Sequence, residues 1–81
     1  MQHLEFTIEP FVEGKPGRHV VAAVDAASAL GATVEFGPFG SSCTADAALM
    51  PDLIASVVRA AFANGATHVN LDVSEESGGT R

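Results

Sequence analysis

The 81-residue sequence predicts a single α+β domain in which two helices cover one face of a four-stranded antiparallel sheet. Two observations support this class. Segments near both ends of the chain alternate between apolar and polar residues, with the period of two that is typical of half-buried strands. Two longer segments have apolar residues at spacings of three and four, which is typical of amphipathic helices.

The first strand is predicted from His3 to Phe11, where polar and apolar residues alternate. Its apolar side chains are expected to point into the core: Leu4, Phe6 and Ile8. The polar side chains are expected on the other face: His3, Glu5, Thr7 and Glu9. Pro10 ends or bends the strand, and the glycines and proline of 13–17 predict a loop.

The first helix is predicted from Arg18 to Leu30. Its inward stripe is expected to consist of Val20, Val24 and Ala27, with Val21 and Ala23 beside it. Gly31 supplies the left-handed conformation that commonly ends a helix.

Two short strands are expected next, separated by the break at 37–40. The second strand is predicted at 33–36, with Val34 and Phe36 pointing inward, and the third at 41–45 around Cys43. Pro51 is well placed as the first residue of a second helix, because its missing amide hydrogen costs little there. That helix is expected to have a broad apolar face: Leu53, Ile54, Val57, Val58, Ala61 and Phe62.

The last strand is predicted at 67–74, with Val69, Leu71 and Val73 facing inward, and residues 75–81 are expected to form a flexible tail after the domain at 1–74. The resulting order, strand–helix–strand–strand–helix–strand, is the split βαβ arrangement of ferredoxin-like folds. Right-handed crossovers would place the first and third strands at the centre of the sheet.

Composition limits the classes of function. The net charge is −6, with four basic and ten acidic residues, which argues against nucleic-acid binding and suits either solubility or a cationic ligand. One cysteine excludes an intrachain disulfide, and three widely separated histidines argue against a metal site. We expect neither a secretion signal nor a membrane span, and therefore a cytoplasmic protein.

The helix-free face of the sheet is the candidate site. It would present the hydroxyl, amide and carboxylate groups of Thr7, Asn70, Glu5 and Asp72, which can hydrogen-bond an aminopyrimidine and balance a positive charge. The alternative is an ordinary solvated face. Aromatic walls are expected from Phe11, Phe36 and Phe39 at strand ends.

Other candidate chemistry is weaker. The adjacent Ser41, Ser42 and Cys43 have no local base, and Cys43 is expected to be a packing residue. Glu5 and Asp72 are candidates for a carboxylate pair across neighbouring strands, but nothing in the sequence separates their pKa values, as acid–base work requires. A phosphate at the loop 14–18 is less expected than an ordinary turn.

Three segments resemble one known family. The stretch 34–46, VEFGPFGSSCTAD, is similar to the thiamine-binding, YkoF-like group of small ferredoxin-like proteins, in which a strand enters a Gly-Pro-(Met or Phe)-Gly-(Thr or Ser) turn and a polar strand follows. Residues 6–10 resemble the family's first strand, which ends in proline. Residues 61–69 resemble the end of its second helix. The family often has Glu-Gly where this chain has Thr44-Ala45.

The resemblance implies a non-enzymatic protein that binds thiamine or its hydroxymethylpyrimidine moiety, needs no cofactor, and assembles into homodimers or homotetramers through strands and sheet faces. The expected ligand-binding residues are Glu5, Thr7, Phe36, Phe39, Ser41, Ser42, Thr44, Asn70 and Asp72. Glu5, Glu35 or Asp72 would supply the carboxylate that Thr44 lacks. Two alternatives stay open: a structural or regulatory oligomer without a ligand, and a cofactor-free enzyme using His3 and Glu5.

Overall fold

The structure, a computed structural model, describes residues 1–10, 17–37 and 40–76, with the backbone alone for Phe36 and Gly37. Its elements follow the predicted order of an α+β, ferredoxin-like fold. They are β1 (Gln2–Glu9), α1 (Arg18–Ala29), β2 (Glu35–Gly37), β3 (Gly40–Ala45), α2 (Met50–Ala63) and β4 (His68–Glu75). Residues 13–16 of the predicted loop, residues 38 and 39 of the predicted break and residues 77–81 of the predicted tail lie outside the described residues.

The sheet has the order β2-β3-β1-β4, and all neighbouring strands are antiparallel. This order confirms that the first and third strands are central. Three strands of six to eight residues make up most of the sheet, and β2 adds three residues at one edge. Glu75, which was expected in the tail, is instead the last residue of β4.

The core lies between the central strands and the two helices. The inward residues of β1 are almost completely buried, as the alternation predicts: Leu4, Phe6 and Ile8. Residues of β3 and α2 belong to the same core: Cys43, Ala45, Met50, Leu53, Val57 and Ala61. Burial of these side chains removes apolar surface from water, which is the dominant favourable contribution to folding.

The buried stripe of α1 differs from the predicted one. It consists of His19, Ala23 and Ala27, of which Ala27 was predicted. The predicted Val20 and Val24 are half-buried against the core, and Val21 is exposed. Small side chains at successive turns let two helices approach closely, and α1 packs against α2 along their length. The Nε2 atom of His19 donates a hydrogen bond to the carbonyl oxygen of Pro10 at 2.6 Å, and this bond ties the start of α1 to the end of β1.

The apolar face of α2 is mostly as predicted. Leu53, Val57 and Ala61 are buried, and Met50 extends the same stripe by one turn. Phe62 was expected on this face but half of it is exposed. It lies one residue beyond Ala61, which turns it about 100° away from the buried stripe. Neither α1 nor α2 has the length and apolarity of a membrane-spanning helix.

The inward residues of β4 are less covered than the sequence predicts. Leu71 and Val73 pair in register with the buried Phe6 and Leu4, so they point to the same side of the sheet as the helices. They are nevertheless 37% and 41% exposed. Because β4 is an edge strand, the described parts of the helix layer cover it only in part.

Candidate ligand-binding face

A row of polar side chains crosses all four strands on the side of the sheet away from the helices, which we call the bare face. Strand pairing aligns Glu35 with Ser42, Ser42 with Glu5, and Glu5 with Asp72. Directly opposed residues of an antiparallel pair have Cβ atoms about 4.5–5.5 Å apart. The row therefore brings three carboxylates and one hydroxyl together across the width of the sheet.

Two further rows flank this one. On one side, His3 is paired with Thr44 in β3 and with Ser74 in β4. On the other side, Thr7 is paired with Asn70. Hydroxyl and amide groups thus surround the carboxylates, and all of them have access to solvent. Such a surface both accepts and donates hydrogen bonds.

His3 lies between two carboxylates. Its Nε2 atom is 3.6 Å from Oε2 of Glu5, and its Nδ1 atom is 3.7 Å from Oε2 of Glu76. The Nδ1 atom is shielded from solvent and makes no hydrogen bond within the described residues. When the ring is protonated, it partly balances the carboxylate of Glu5 at this end of the face.

A second histidine and carboxylate lie at the opposite end of the bare face. His68 is paired with Glu9, and its Nδ1 atom is 3.6 Å from the Glu9 carboxylate and 3.0 Å from Oγ1 of Thr67. The backbone nitrogen of Thr67 donates to the carbonyl oxygen of Glu9 at 2.7 Å. These contacts fix the junction between the end of β1 and the start of β4.

The two sides of the sheet differ in charge. Within the described residues, the arginines Arg18 and Arg59 belong to the helices, so they lie on the other side of the sheet from the row of carboxylates. Among the described residues, the bare face therefore has more acidic than basic groups, and its carboxylates attract cations. The described residues contain no cluster of three or more His, Cys, Asp or Glu residues arranged to hold a metal ion.

Six of the nine predicted site residues lie together on the bare face: Glu5, Thr7, Ser42, Thr44, Asn70 and Asp72. Ser41 does not belong with them, because it is buried on the helix side of the sheet, opposite Phe6. Phe39 and the side chain of Phe36 lie outside the described residues, as does the predicted wall residue Phe11.

Glu35 and His3 were not among the predicted ligand-binding residues, yet both lie on the bare face. His3 could have been included from the sequence, since it alternates in phase with Glu5 and Thr7 along β1. From the sequence, Glu35 is expected only as a substitute for the carboxylate that Thr44 lacks. Its place in the row depends on the pairing of β2 with β3, which a sequence pattern of three residues does not specify.

Cys43 is separated from this surface. It is buried on the helix side of β3, and burial raises the pKa of its thiol because desolvation disfavours the thiolate. A thiolate is the reactive form of cysteine, so its burial disfavours Cys43 as a nucleophile. The predicted packing role of this residue agrees with its location.

Gly40 fixes the contact between β3 and β1 at the edge of the bare face. A Cβ atom at Gly40 would lie 2.8 Å from Cγ2 of Thr7 and 2.9 Å from the carbonyl oxygen of Phe6. Its φ of +155° is also a conformation that other residues rarely adopt. A side chain here would push Thr7 away from its position beside Asn70.

Comparison with solved structures shows the fold of the chain. A structure from Thermotoga maritima, described as "a putative thiamine biosynthesis/salvage protein", aligns with a TM-score of 0.68 and 21% identity over 99% of this chain and 88% of that one. A hypothetical protein from Methanocaldococcus jannascii gives a TM-score of 0.68 and 16% identity over 99% and 84% of the two chains.

The domain of unknown function DUF77 from Bacillus cereus aligns with a TM-score of 0.64 and 18% identity over 90% of this chain and 71% of that one. No family model matches the sequence, and no curated protein matches it. At these identities the likenesses show a shared ferredoxin-like fold.

Proposed function

We propose that this protein binds a small cationic heterocycle, most specifically thiamine or its hydroxymethylpyrimidine moiety, on the bare face, and that it does so without catalysis. The observation that carries the proposal is the row from Glu35 through Ser42 and Glu5 to Asp72. Three carboxylates with one hydroxyl favour a ligand that has a fixed positive charge and hydrogen-bonding groups.

The chemistry of thiamine fits this surface in two respects. Its thiazolium ring is a permanent cation, which would balance the opposed carboxylates of Glu5 and Asp72. Its aminopyrimidine ring has both donors and acceptors, which match the hydroxyls of Ser42 and Thr7 and the amide of Asn70. The Thermotoga maritima neighbour, through its description alone, supports the same class of ligand.

The place of Thr44 bears on this proposal. In the family that the sequence resembles, a glutamate often occupies the corresponding position. Thr44 lies on the bare face in the row beside Glu5 and Asp72, paired with His3. Carboxylates on the neighbouring strands β1 and β4 therefore occupy the same surface, and they would take over the charge contact that Thr44 cannot make.

The absence of catalysis is part of the proposal. The only thiol is buried on the opposite side of the sheet from His3, so Cys43 and His3 do not form a thiol–imidazole pair. His3 and Glu5, the pair considered for an enzyme, lie 3.6 Å apart on an open sheet surface. An open surface with these polar groups is sufficient for binding a ligand.

Calorimetry tests the ligand. Thiamine should bind more tightly than the neutral hydroxymethylpyrimidine, and its affinity should fall as salt rises because charge attraction is screened. Glu5→Gln should weaken thiamine binding by a factor of about 10 to 150, since removal of one charge partner costs about 1.5–3 kcal/mol. Asp25→Asn is the matched control, because it removes the same charge from the exposed side of α1.

Two outcomes would remove this function. One is the absence of both heat and a thermal shift at millimolar thiamine and hydroxymethylpyrimidine. The other is equal loss of binding in Glu5→Gln and Asp25→Asn, which would make the effect one of net charge and not of the bare face.

A second candidate function is self-assembly without a small ligand. It is favoured by the exposure of Leu71 and Val73 on the edge strand β4, where apolar side chains have solvent in place of a neighbour. Assembly is expected to give dimers or tetramers in solution with no response to thiamine. It is compatible with ligand binding and is measured separately.

A further inference from the structure

Among the described residues, two basic side chains lie on the bare face, one near each end. His3 is 3.6 Å from the carboxylate of Glu5, and His68 is 3.6 Å from that of Glu9. Of these two carboxylates, Glu5 belongs to the row that carries the proposed function. Glu9 lies four residues further along β1, about 13 Å away. His3 therefore borders the candidate site, and His68 does not.

The ring of His3 has a carboxylate on each side. Its Nε2 atom faces Oε2 of Glu5, and its Nδ1 atom is 3.7 Å from Oε2 of Glu76. A neutral imidazole has a hydrogen on only one of its two nitrogens, whereas an imidazolium has one on both. Nδ1 is also shielded from solvent and makes no hydrogen bond within the described residues. Only the charged ring can therefore direct an N–H group toward both carboxylates at once.

The other neighbours of His3 are uncharged or acidic. Its partners in register are Thr44 of β3 and Ser74 of β4, and Asp72 is its diagonal neighbour on β4 at about 7–8 Å. The arginines of α1 and α2 lie on the other side of the sheet. A cation bound at Glu5 would therefore bring a second positive charge close to His3, beside the same carboxylate.

We propose that His3 links ligand binding on the bare face to pH, because the cation of the ligand and the imidazolium of His3 compete for the carboxylate of Glu5. As the cation binds, the two like charges repel, the N–H bond at Nε2 breaks, and its proton passes to the buffer. The remaining hydrogen stays on Nδ1, toward Glu76. Nε2 then has a free lone pair that can accept a hydrogen bond from an amino group of the ligand. This inference rests on the proposed function and adds a form of regulation to it.

The linkage between proton and cation has a fixed direction. A proton on His3 weakens the binding of the cation, so by reciprocity the bound cation weakens the hold of His3 on its proton. Histidine is the side chain that ordinarily changes charge between about pH 5 and 8. The affinity for the cation should therefore rise with pH over this interval, and binding should release a fraction of a proton.

Calorimetry with thiamine at about pH 5.5 and 7.5, at constant ionic strength, tests the linkage. The parent should bind about three- to fivefold more tightly at the higher pH, the size expected for one partly exposed charge contact. His3→Gln should bind about as tightly at both values as the parent does at the higher one. His3→Lys, which keeps its positive charge at both values, should bind weakly at both.

His68→Gln is the matched control. It removes the histidine beside Glu9, at the other end of the bare face, and should keep the pH profile of the parent. Titration of the ligand itself, or of Glu5, contributes to every one of these proteins. The difference between the profiles of His3→Gln and His68→Gln therefore isolates the contribution of His3.

Proton release gives a second readout, which a merely structural role of His3 would not change. At about pH 6.5, the binding heat of the parent should differ between buffers of different ionisation enthalpy, because the released proton is taken up by the buffer. The binding heat of His3→Gln should be the same in each buffer.

Three outcomes would overturn the inference and leave the proposed function standing. The parent could bind thiamine equally well at both pH values. His3→Gln could keep the pH profile and the buffer dependence of the parent. His68→Gln could lose them in its place. If thiamine binds at neither pH, the proposed function is wrong and the linkage is wrong with it.

Discussion

Strands β1 and β4 have the same length and the same alternation, and they pair with each other along their whole length, yet their burial differs greatly. Leu4 and Phe6 of β1 are at most 2% exposed, whereas their partners Val73 and Leu71 are 41% and 37% exposed. The difference comes from position in the sheet. β1 is central and lies beneath both helices, whereas β4 is an edge that they cover in part.

The comparison separates two properties that a sequence pattern does not distinguish: the face of the sheet that a side chain occupies and the depth to which it is buried. Alternation with a period of two determines which face a side chain occupies, because it follows from the pleat of the strand. Depth of burial depends on what covers that face, which is a property of the helix layer and of any partner. The exposed apolar residues of β4 are therefore the ones that a partner, or residues outside the described part of the chain, would bury.

Leu4→Ala against Leu71→Ala should show the largest difference between the strands. Leu4→Ala should lower the free energy of unfolding by about 2–5 kcal/mol, because it leaves a cavity in the core. Leu71→Ala should lower it by less than about 1 kcal/mol. Urea unfolding followed by circular dichroism measures both, at protein concentrations low enough to avoid self-association. Equal costs would show that β4 is covered as deeply as β1.

Gly40→Ala should test the other side of β1, where β3 approaches it closely. The new Cβ would collide with Thr7 and the backbone of Phe6, so we expect a cost of about 3 kcal/mol. Gly65→Ala is the matched control. It has a positive φ of +102° but nothing within 4 Å of its Cβ position, and should cost about 1 kcal/mol. If the two variants lower the free energy of unfolding by similar amounts, backbone strain accounts for the whole cost and the collision at Gly40 contributes nothing.

His19→Ala should weaken the attachment of the helix layer to the end of β1. The change removes the hydrogen bond to Pro10 and a buried ring, for an expected cost of about 1–3 kcal/mol. His68→Ala at the start of β4 removes an exposed ring and should cost less than about 0.5 kcal/mol. If His19→Ala were equally mild, the contact would not contribute to the coverage of β1.

The smallest effect concerns pH and Cys43, in the strand beside β1. Because burial raises the pKa of this thiol in the folded state, the unfolded chain loses its proton first as pH rises. The stability contributed by the neutral thiol is therefore complete below about pH 9 and is lost as pH rises through the folded pKa. Unfolding of the parent and of Cys43→Ala, compared between pH 8 and 10, should show a steeper decline for the parent. Parallel curves would mean that the thiol is not desolvated.

Most of the fold could be predicted from local patterns and chain connectivity. Alternation located β1 and β4, and the handedness of crossovers placed β1 and β3 at the centre. The phase of α1 could be obtained only in part in this way, because Val20 and Val24 are more apolar than Ala23, which is completely buried together with the predicted Ala27. Close packing of two helices favours small residues at the contact, and only the approach of α2 reveals which stripe that is.

In the candidate site, too, local patterns predict some of the residues, and the others depend on contacts between elements. The alternation of β1 and β4 was enough to group Glu5, Thr7, Asn70 and Asp72. It would also have separated Ser41 from Ser42, had the period of two been applied strictly to β3. The row that includes Glu35 depends on the register between strands, and register is set by turn geometry and packing that no single segment contains.

The central place of β1 has a consequence for folding. Both of its neighbours, β3 and β4, come later in the chain, and the pairing of Gln2 with Glu75 spans nearly all of the described residues. Contacts between such distant residues form slowly, because a long loop must close first. During synthesis, Leu4, Phe6 and Ile8 therefore emerge long before the strands and helices that will cover them. A ribosome-bound chain halted before β4 would expose one whole edge of its own central strand.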